Sequence, residues 1–411
     1  MEKNLTLGKF FKNYKPGFDP YKLDVRSTYE WNTLSVVVKD GVVISNNSKL
    51  TTENSIVNLA STSKPFTMSL LSKSLNSDSS STSSRLPSGT VGMTQRNKQF
   101  KATKDLVKEL IFRKQYQHIL QNPDYKEVII WLNKNRISNV KSKLRAKLKG
   151  NDVGLYNWKA ESFPEVSIDL NELCFNALTL SSNSAIEIAR NKLEEIYGSD
   201  EVIQKALDGF NLAPTLELHK GGFKLLTQPR ANSGDLKDIV KAFDRLVKKA
   251  ESEPLLSAVK NNTVFFDVGI SPFLRSQNKI NSEVTVYEKT GVAWPICYGE
   301  EYVKLGFPPH MIMGTLFSIK MNHEVTSFGI FKVIAIAVPK TLDTNNFPNI
   351  YEKNYIPYIN SVKYKFLKRY RTELINLVNS NINLNLENKL TVRREIQDFV
   401  KKAILRLQLL F

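Results

Sequence analysis

Three short motifs follow one another along the chain, and their residue types are those of serine acyl transfer. They are Ser61-Thr62-Ser63-Lys64, Ser181-Ser182-Asn183 and Lys289-Thr290-Gly291. In a chain of this length and composition, Ser-x-x-Lys or Ser-x-Asn is expected about three or four times by chance, and Lys-Thr-Gly about 0.1 times. The prediction of a site therefore rests on the order of the motifs and on the residues that flank them.

The first motif places a nucleophile beside a base. Ser61 stands where a helix is predicted to begin, and residues three apart share a helix face, so the Lys64 amine is expected near the Ser61 hydroxyl. A lysine can accept the serine proton when desolvation and a second cation lower its pKa, and Lys289 is the predicted second cation. The alternative for this tetrapeptide alone is a helix N-cap followed by a solvent-facing lysine.

The elements that must position the motifs are predicted from residue patterns. Two β-branched runs about Asp40-Gly41 predict a hairpin over residues 34–45, and a helix is expected from Ser61 to about residue 73. Helical spacing also continues on either side of Ser181, over residues 170–197. Further helices are predicted at residues 200–210, 234–250, 358–379 and 389–411, and strands at 263–268, 283–287 and 328–338.

The net charge of +18 comes from two segments. Residues 93–149 hold 15 basic and 4 acidic residues, residues 353–411 hold 12 and 4, and the rest of the chain is close to neutral. Residues 76–90 are rich in serine and predict a linker without apolar side chains to bury. After the linker, residues 101–149 predict two or three basic helices.

A polyanion is the expected partner of residues 96–149, either nucleic acid or an anionic envelope polymer. Within them, residues 141–149 alternate basic and apolar side chains, which suits contacts with phosphates or an anionic surface. Tyr116, Tyr125 and Trp131 could stack on bases. The alternative is a solvated helical face. In the tail, Val362, Phe366, Leu374 and Val378 form a stripe that favours packing over binding.

Neither a metal nor another cofactor is expected. The cysteines, Cys174 and Cys297, lie far apart in apolar runs, and no two histidines are four residues apart. The first 18 residues contain no unbroken apolar run of the kind found in a signal peptide, and no run is long enough to span a bilayer. These patterns do not determine the cellular compartment.

The residues around the motifs resemble the penicillin-recognising serine enzymes, which are the class A β-lactamases and the low-molecular-mass D-Ala-D-Ala carboxypeptidases. SVVVKDGVVIS before IVNLASTSKPFTMSLL resembles the opening strands and the nucleophile helix of that family. DLNELCFNALTLSSNSAIEIARNKLEEIYG resembles the stretch with Ser-Asp-Asn, and VTVYEKTGV resembles the strand with Lys-Thr-Gly. The resemblance spans about residues 34–337 without the insertion.

This resemblance implies an α/β (α+β) fold of the β-lactamase/transpeptidase type, in which helices flank an antiparallel sheet beside an all-α subdomain. The sheet is expected from residues 28–60 and 262–345, after an N-terminal extension over residues 1–27. The all-α subdomain is expected over residues 61–261, with the linker and basic insertion at about 76–150. Basic helices over residues 346–411 would close the chain.

The resemblance also implies roles for the first two motifs. Ser61 would be the acylated nucleophile and Lys64 its base or proton shuttle. Ser181 would relay the proton to the leaving nitrogen, and Asn183 would hold the side-chain amide of the substrate. The alternative for the second motif is simply the end of a helix.

In the third motif, Lys289 and Thr290 would bind the substrate carboxylate, and Gly291 would let it approach. The backbone N–H groups of Ser61 and Val292 would form an oxyanion hole. The alternative is a turn in a strand.

Two departures from the family pattern bear on the choice of substrate. Ser182 replaces the Asp that is common in class A enzymes, which favours a peptidase over a specialised β-lactamase. Glu217 suits the water-positioning glutamate by its distance from Ser181, but the usual Arg and Asn neighbours are missing, and a surface glutamate is the alternative.

Three functions are therefore weighed. The first is a serine hydrolase acting on a D-alanyl peptide or a β-lactam, and such cell-wall chemistry implies a location outside the cytoplasmic membrane. The second is a binding or scaffold protein of the same fold whose basic helices engage a polyanion. The third is an esterase or amidase, because a fold does not determine its chemistry.

Overall fold

A hairpin opens the fold of this protein, for which we obtained a computed structural model. Strand β1 (Asn32–Lys39) turns at Asp40-Gly41 into β2 (Val42–Ser48), as predicted. Both turn residues have positive φ, 52° and 78°, which matches the twist of the flanking strands. The structure describes residues 32–48, 56–76, 99–112, 116–134, 163–209, 233–249, 253–260, 269–293, 310–335 and 355–387.

Five antiparallel strands form the main sheet, in the order β2-β1-β9-β8-β7. The last three are β7 (Val284–Ala293), β8 (His310–Met321) and β9 (Glu324–Ala335). The residue pattern did not predict β8, because its hairpin to β9 turns at Asn322-His323 without a glycine. Both turn residues nevertheless adopt positive φ, 49° and 71°.

Helices cover both faces of this sheet, which confirms the predicted layering. On one face, α8 (Leu236–Lys248) packs against β1 and β9, and a buried hydrogen bond of 2.8 Å joins Ser327 Oγ to Asp244 Oδ1. On the other face, α10 (Ser271–Ser276) and α11 (Tyr355–Asn381) bury side chains against the sheet, including Phe273, Leu374 and Val378. The tail residues Leu374 and Val378 thus pack as predicted.

Most of the other helices lie in residues 61–261, the region predicted to be all-α, but three short strands of the described ranges also lie there, so the region is not purely helical. In chain order the helices are α1 (Lys64–Asn76), α2 (Lys104–Phe112), α3 (Tyr116–Gln121), α4 (Lys126–Lys134), α5 (Leu170–Cys174), α6 (Asn183–Tyr197), α7 (Asp200–Gly209), α8 (Leu236–Lys248), α9 (Glu253–Val259), α10 (Ser271–Ser276) and α11 (Tyr355–Asn381). Two short strand pairs accompany them, β3 (Ile56–Asn58) with β6 (Ser233–Asp235) and β4 (Phe100–Ala102) with β5 (Val166–Ile168).

The described part of the insertion belongs to the main hydrophobic core. Its helices α2 to α4 bury Leu106, Leu110, Ile119 and Val128 in the same cluster as helix α1. The insertion therefore contributes to the packing of the helical region.

Several predictions fall outside the described residues. They concern the N-terminal extension, the serine-rich linker, the basic run 141–149, Glu217, the strand at 263–268 and the last helix at 389–411. Within the described ranges, no helix is long and apolar enough to cross a membrane.

Candidate active site

Ser61 lies in a tight 3-10 turn, Ala60–Ser63, directly before helix α1. Ala60 has a φ of 44°, a left-handed conformation that costs a non-glycine residue about 1 kcal/mol or more. The Leu59 carbonyl oxygen stabilises the turn by accepting from Thr62 N at 2.9 Å and from Thr62 Oγ1 at 2.6 Å. The half-buried Ser61 side chain is therefore held on a well-defined turn.

Lys64 is fully buried at the first position of α1, and its amine reaches the second motif. Its Nζ donates to the Ser181 carbonyl oxygen at 2.6 Å and the Ser182 carbonyl oxygen at 3.1 Å. A third hydrogen bond of 2.8 Å goes to Asn183 Oδ1. These bonds differ from the predicted contact with the Ser61 hydroxyl, because a buried ammonium needs several acceptors and two backbone carbonyls supply them.

The second motif follows a change of helix type. A π-helical segment, Phe175–Thr179, ends the α5 helix, and Ser181 then adopts a φ of 54°. The hydrogen bond of 2.9 Å from Ser182 N to the Asn176 carbonyl oxygen closes this turn. Single π-helical turns are frequent at functional sites, and this one presents Ser181 to the buried lysines.

Lys289 brings the third motif to the same serine. This lysine is buried on β7, and its Nζ donates to Ser181 Oγ at 2.9 Å and to the Thr290 carbonyl oxygen at 2.8 Å. Lys64 Nζ lies 3.4 Å from the same Ser181 Oγ. Because a hydroxyl oxygen that accepts from two amines must direct its own proton elsewhere, Ser181 is arranged to donate.

Gly291 packs against the turn that contains Ser61. A Cβ atom on this residue would lie 2.9 Å from the Leu59 carbonyl oxygen and 2.9 Å from Thr62 N. Only glycine therefore allows β7 to approach the turn this closely. Val292 follows in β7, which is an edge strand and so has backbone groups that do not pair within the sheet.

The sequence analysis missed Glu288, which anchors β7 from the side opposite Lys289. Its buried carboxylate accepts hydrogen bonds from Ile270 N, from Ser271 N at 3.2 Å and from Ser271 Oγ at 2.6 Å. Burial raises the pKa of the Glu288 carboxyl above its ordinary value. A glutamate directly before Lys289 in a predicted strand was the available signal.

A second missed carboxylate, Glu172, ties the insertion to the helix that leads into Ser181. Its oxygens accept from His118 Nε2 at 2.8 Å, Tyr125 OH at 2.6 Å, Asn122 Nδ2 at 2.9 Å and Asn176 Nδ2 at 2.6 Å. Burial would raise the pKa of Glu172, but the hydrogen bonds from His118 and Tyr125 lower it below the ordinary value. Because Tyr125 is fully buried here, the prediction that it stacks on bases is wrong.

Cys174, the cysteine within the described ranges, is buried. Burial raises the pKa of the Cys174 thiol to about 12, so this cysteine is not a nucleophile at neutral pH. In the described ranges, no three His, Cys, Asp or Glu side chains are grouped to hold a metal ion. Glu217 and Cys297 lie outside those ranges.

Comparisons with known proteins were made at the level of both sequence and fold. No family model matches the sequence, and no curated protein matches it. A halotolerant bacterial β-lactamase is similar in structure at 14% identity and a TM-score of 0.40, over 84% of this chain and 99% of that chain. A class A β-lactamase from Mycobacterium abscessus is similar at 13% identity and a TM-score of 0.38, over 78% of this chain and 90% of that chain.

Proposed function

We propose that this protein is a serine hydrolase that forms an acyl-enzyme on Ser61 with a D-alanyl peptide or a β-lactam. The observation that carries the proposal is a closed set of contacts among the three motifs. Lys64 binds the second motif, Lys289 binds Ser181, and Gly291 packs on the turn of Ser61. Three motifs, each more than a hundred residues from the next in the sequence, thus meet at one place.

In the acylation step, Ser61 Oγ attacks the substrate carbonyl carbon, and Lys64, in its neutral amine form, accepts the hydroxyl proton as the new C–O bond forms. Lys289 and Lys64 both contact Ser181 Oγ. The positive charge of Lys289 disfavours a second positive charge on the Lys64 amine, which supports Lys64 as a base. The C–N bond then breaks, and the proton passes through Ser181 to the leaving nitrogen.

Groups of all three motifs are assigned to bind the substrate and to stabilise its negative charge. The developing oxyanion is assigned to the backbone N–H groups of Ser61 and Val292, which belong to the turn and strand that meet at Gly291. Lys289 and Thr290 are assigned to the substrate carboxylate, and the exposed Asn183 is assigned to its amide group.

Hydrolysis of the acyl-enzyme needs a water molecule, for which Glu217 is the proposed positioning residue. Ser182 in place of Asp favours a D-Ala-D-Ala carboxypeptidase over a class A β-lactamase. Peptidoglycan chemistry would require a location outside the cytoplasmic membrane, which is part of the same proposal.

A fluorescent penicillin tests the proposal directly. Wild type should acquire a covalent label, seen as one adduct by intact mass, and Ser61→Ala should acquire none. Ser380→Ala is the matched control, because Ser380 is exposed on α11 and away from the motifs. If wild type forms no adduct on Ser61, the proposal fails for this substrate class. Labelled ester substrates and polyanion binding would then separate an esterase from a scaffold protein.

A further inference from the structure

We propose that Glu109, on the inserted helix α2, is a positioning residue that holds the second motif for catalysis. The proposal rests on the function proposed above. Glu109 Oε2 accepts a hydrogen bond of 2.5 Å from Ser182 Oγ and one of 3.3 Å from Ser184 N. Its Oε1 accepts from Asn183 N at 3.4 Å.

These bonds place a carboxylate at the N-terminus of the 15-residue helix α6. Ser182 is the N-cap of this helix and accepts from Ala185 N at 3.0 Å, so its only hydroxyl proton is the one donated to Glu109. The backbone N–H groups of Asn183 and Ser184 would otherwise lack acceptors within the helix. A negative charge also interacts favourably with the positive end of the helix dipole.

Lys64 connects Glu109 to the groups proposed to react. Its Nζ binds the Ser182 carbonyl oxygen and Asn183 Oδ1, so a shift of these two residues would move two acceptors of the proposed base. Glu109 contacts Asn183 through the backbone N–H, not through the side chain that is assigned to the substrate. It acts through Ser182 and Asn183, which makes it a positioning residue.

Helix α2 presents this carboxylate from a packed face. Leu106, Val107 and Leu110 flank Glu109 in the sequence and are buried in the core, so the helix has little freedom to withdraw. The insertion therefore supplies to the second motif the acidic group that Ser182 lacks. An aspartate at the Ser182 position could accept from Ala185 N itself, as a good N-cap residue does.

If Glu109 positions the second motif, a second substitution should rescue its loss. Glu109→Ala should slow acylation by a fluorescent penicillin about 10- to 100-fold, since small misplacements of catalytic groups have effects of this size. Ser182→Asp alone should also slow acylation, because two carboxylates then face each other. The double variant Glu109→Ala/Ser182→Asp should recover most of the rate. Asp105→Ala, which removes an exposed acidic residue of the same helix, is the matched control.

Amide hydrogen exchange at Asn183 and Ser184 gives a readout that does not depend on acylation. Glu109→Ala should speed exchange at these two amides relative to Asp105→Ala, and Glu109→Gln should have a smaller effect. An unchanged exchange rate in Glu109→Ala would overturn the positioning role. So would a wild-type acylation rate in Glu109→Ala, or a double variant that is acylated no faster than Glu109→Ala. If wild type is not acylated, the proposed function fails, and the exchange data still decide the role of Glu109.

Discussion

Lys289 Nζ lies 2.9 Å from the Oγ of Ser181, so the third motif bonds directly to the second. Lys289→Met and Ser181→Ala should therefore each slow acylation by about 10²- to 10⁴-fold, the usual contribution of a positioned proton-transfer group. The double variant should lose less than the product of the two single effects, because both changes remove the same hydrogen bond.

The rate of penicillin labelling in single-turnover conditions measures these effects. Lys320→Met is the control, since Lys320 is an exposed lysine on the neighbouring strand β8. Fully additive losses in the double variant would show that the two residues act independently.

A methyl group at Gly291 should damage the site more than the fold. In Gly291→Ala the new Cβ would lie 2.9 Å from two backbone atoms of the turn of Ser61, so β7 or the turn must move. We expect acylation to fall by about 10²-fold or more, with an intact melting transition. Gly198→Ala is the comparison, because Gly198 has a φ of 81° and open space around it. That change should cost about 1 kcal/mol of stability and leave acylation unchanged. Equal acylation in the two variants would contradict the packing argument.

The Glu172 cluster should make stability depend on acidic pH. The folded pKa of Glu172 lies below its ordinary value of 4.5, so the unfolded chain binds more protons and the free energy of unfolding falls as pH decreases through that range. Glu172→Gln should be less stable at neutral pH and should show a flatter profile between about pH 5 and pH 3.

Urea unfolding at several pH values measures this profile. Glu127→Gln, an exposed glutamate on α4, should keep the wild-type profile. The same slope in Glu172→Gln and wild type would assign the acid sensitivity to other carboxyl groups.

Removing Glu373 should lower the free energy of unfolding more than removing Lys332. Lys332 is fully buried on β9 and donates to Glu373 at 2.6 Å and to Thr33 Oγ1 at 2.8 Å. Burial lowers the pKa of Lys332, although the hydrogen bond to Glu373 opposes this shift. Glu373→Ala leaves a buried charge without its main partner and should cost about 3–5 kcal/mol, whereas Lys332→Met should cost much less.

Chemical denaturation of the two variants compares these costs. Glu283→Ala, which removes an exposed carboxylate at the start of β7, should be nearly neutral. A larger loss in Lys332→Met than in Glu373→Ala would contradict the expected asymmetry.

The basic run 141–149 is the part of the insertion proposed to bind a polyanion. Changing its five basic residues to Gln should weaken binding to heparin or single-stranded DNA and reduce the dependence of affinity on salt. Deleting the whole insertion is a poor test, because Leu106, Leu110 and Val128 belong to the core. Tyr125→Phe should leave polyanion binding unchanged, since Tyr125 is buried. An unchanged salt dependence after neutralisation would assign the run to a solvated surface.

Local patterns were enough to predict several elements near the site. The Asp-Gly hairpin, the helix after Ser61 and the helices on either side of Ser181 depend on turn chemistry and spacing within a few residues. Strand β8 escaped prediction because its turn uses Asn322-His323, whose positive φ values are uncommon for residues other than glycine. Side chains such as Glu109 and Glu288 also escaped, because their importance depends on partners that are distant in the sequence.

The sequence by itself determined which groups are available for chemistry, namely two lysines, two serines and an amide in three motifs, and the local elements that carry them. Only the tertiary structure decided how they meet. It brought Lys64 and Lys289 to Ser181, set Gly291 against the turn of Ser61, and drew the insertion into the core with Glu109 at the second motif. The physical reason is that buried charges must find partners wherever the packed chain supplies them, and that packing is long-range.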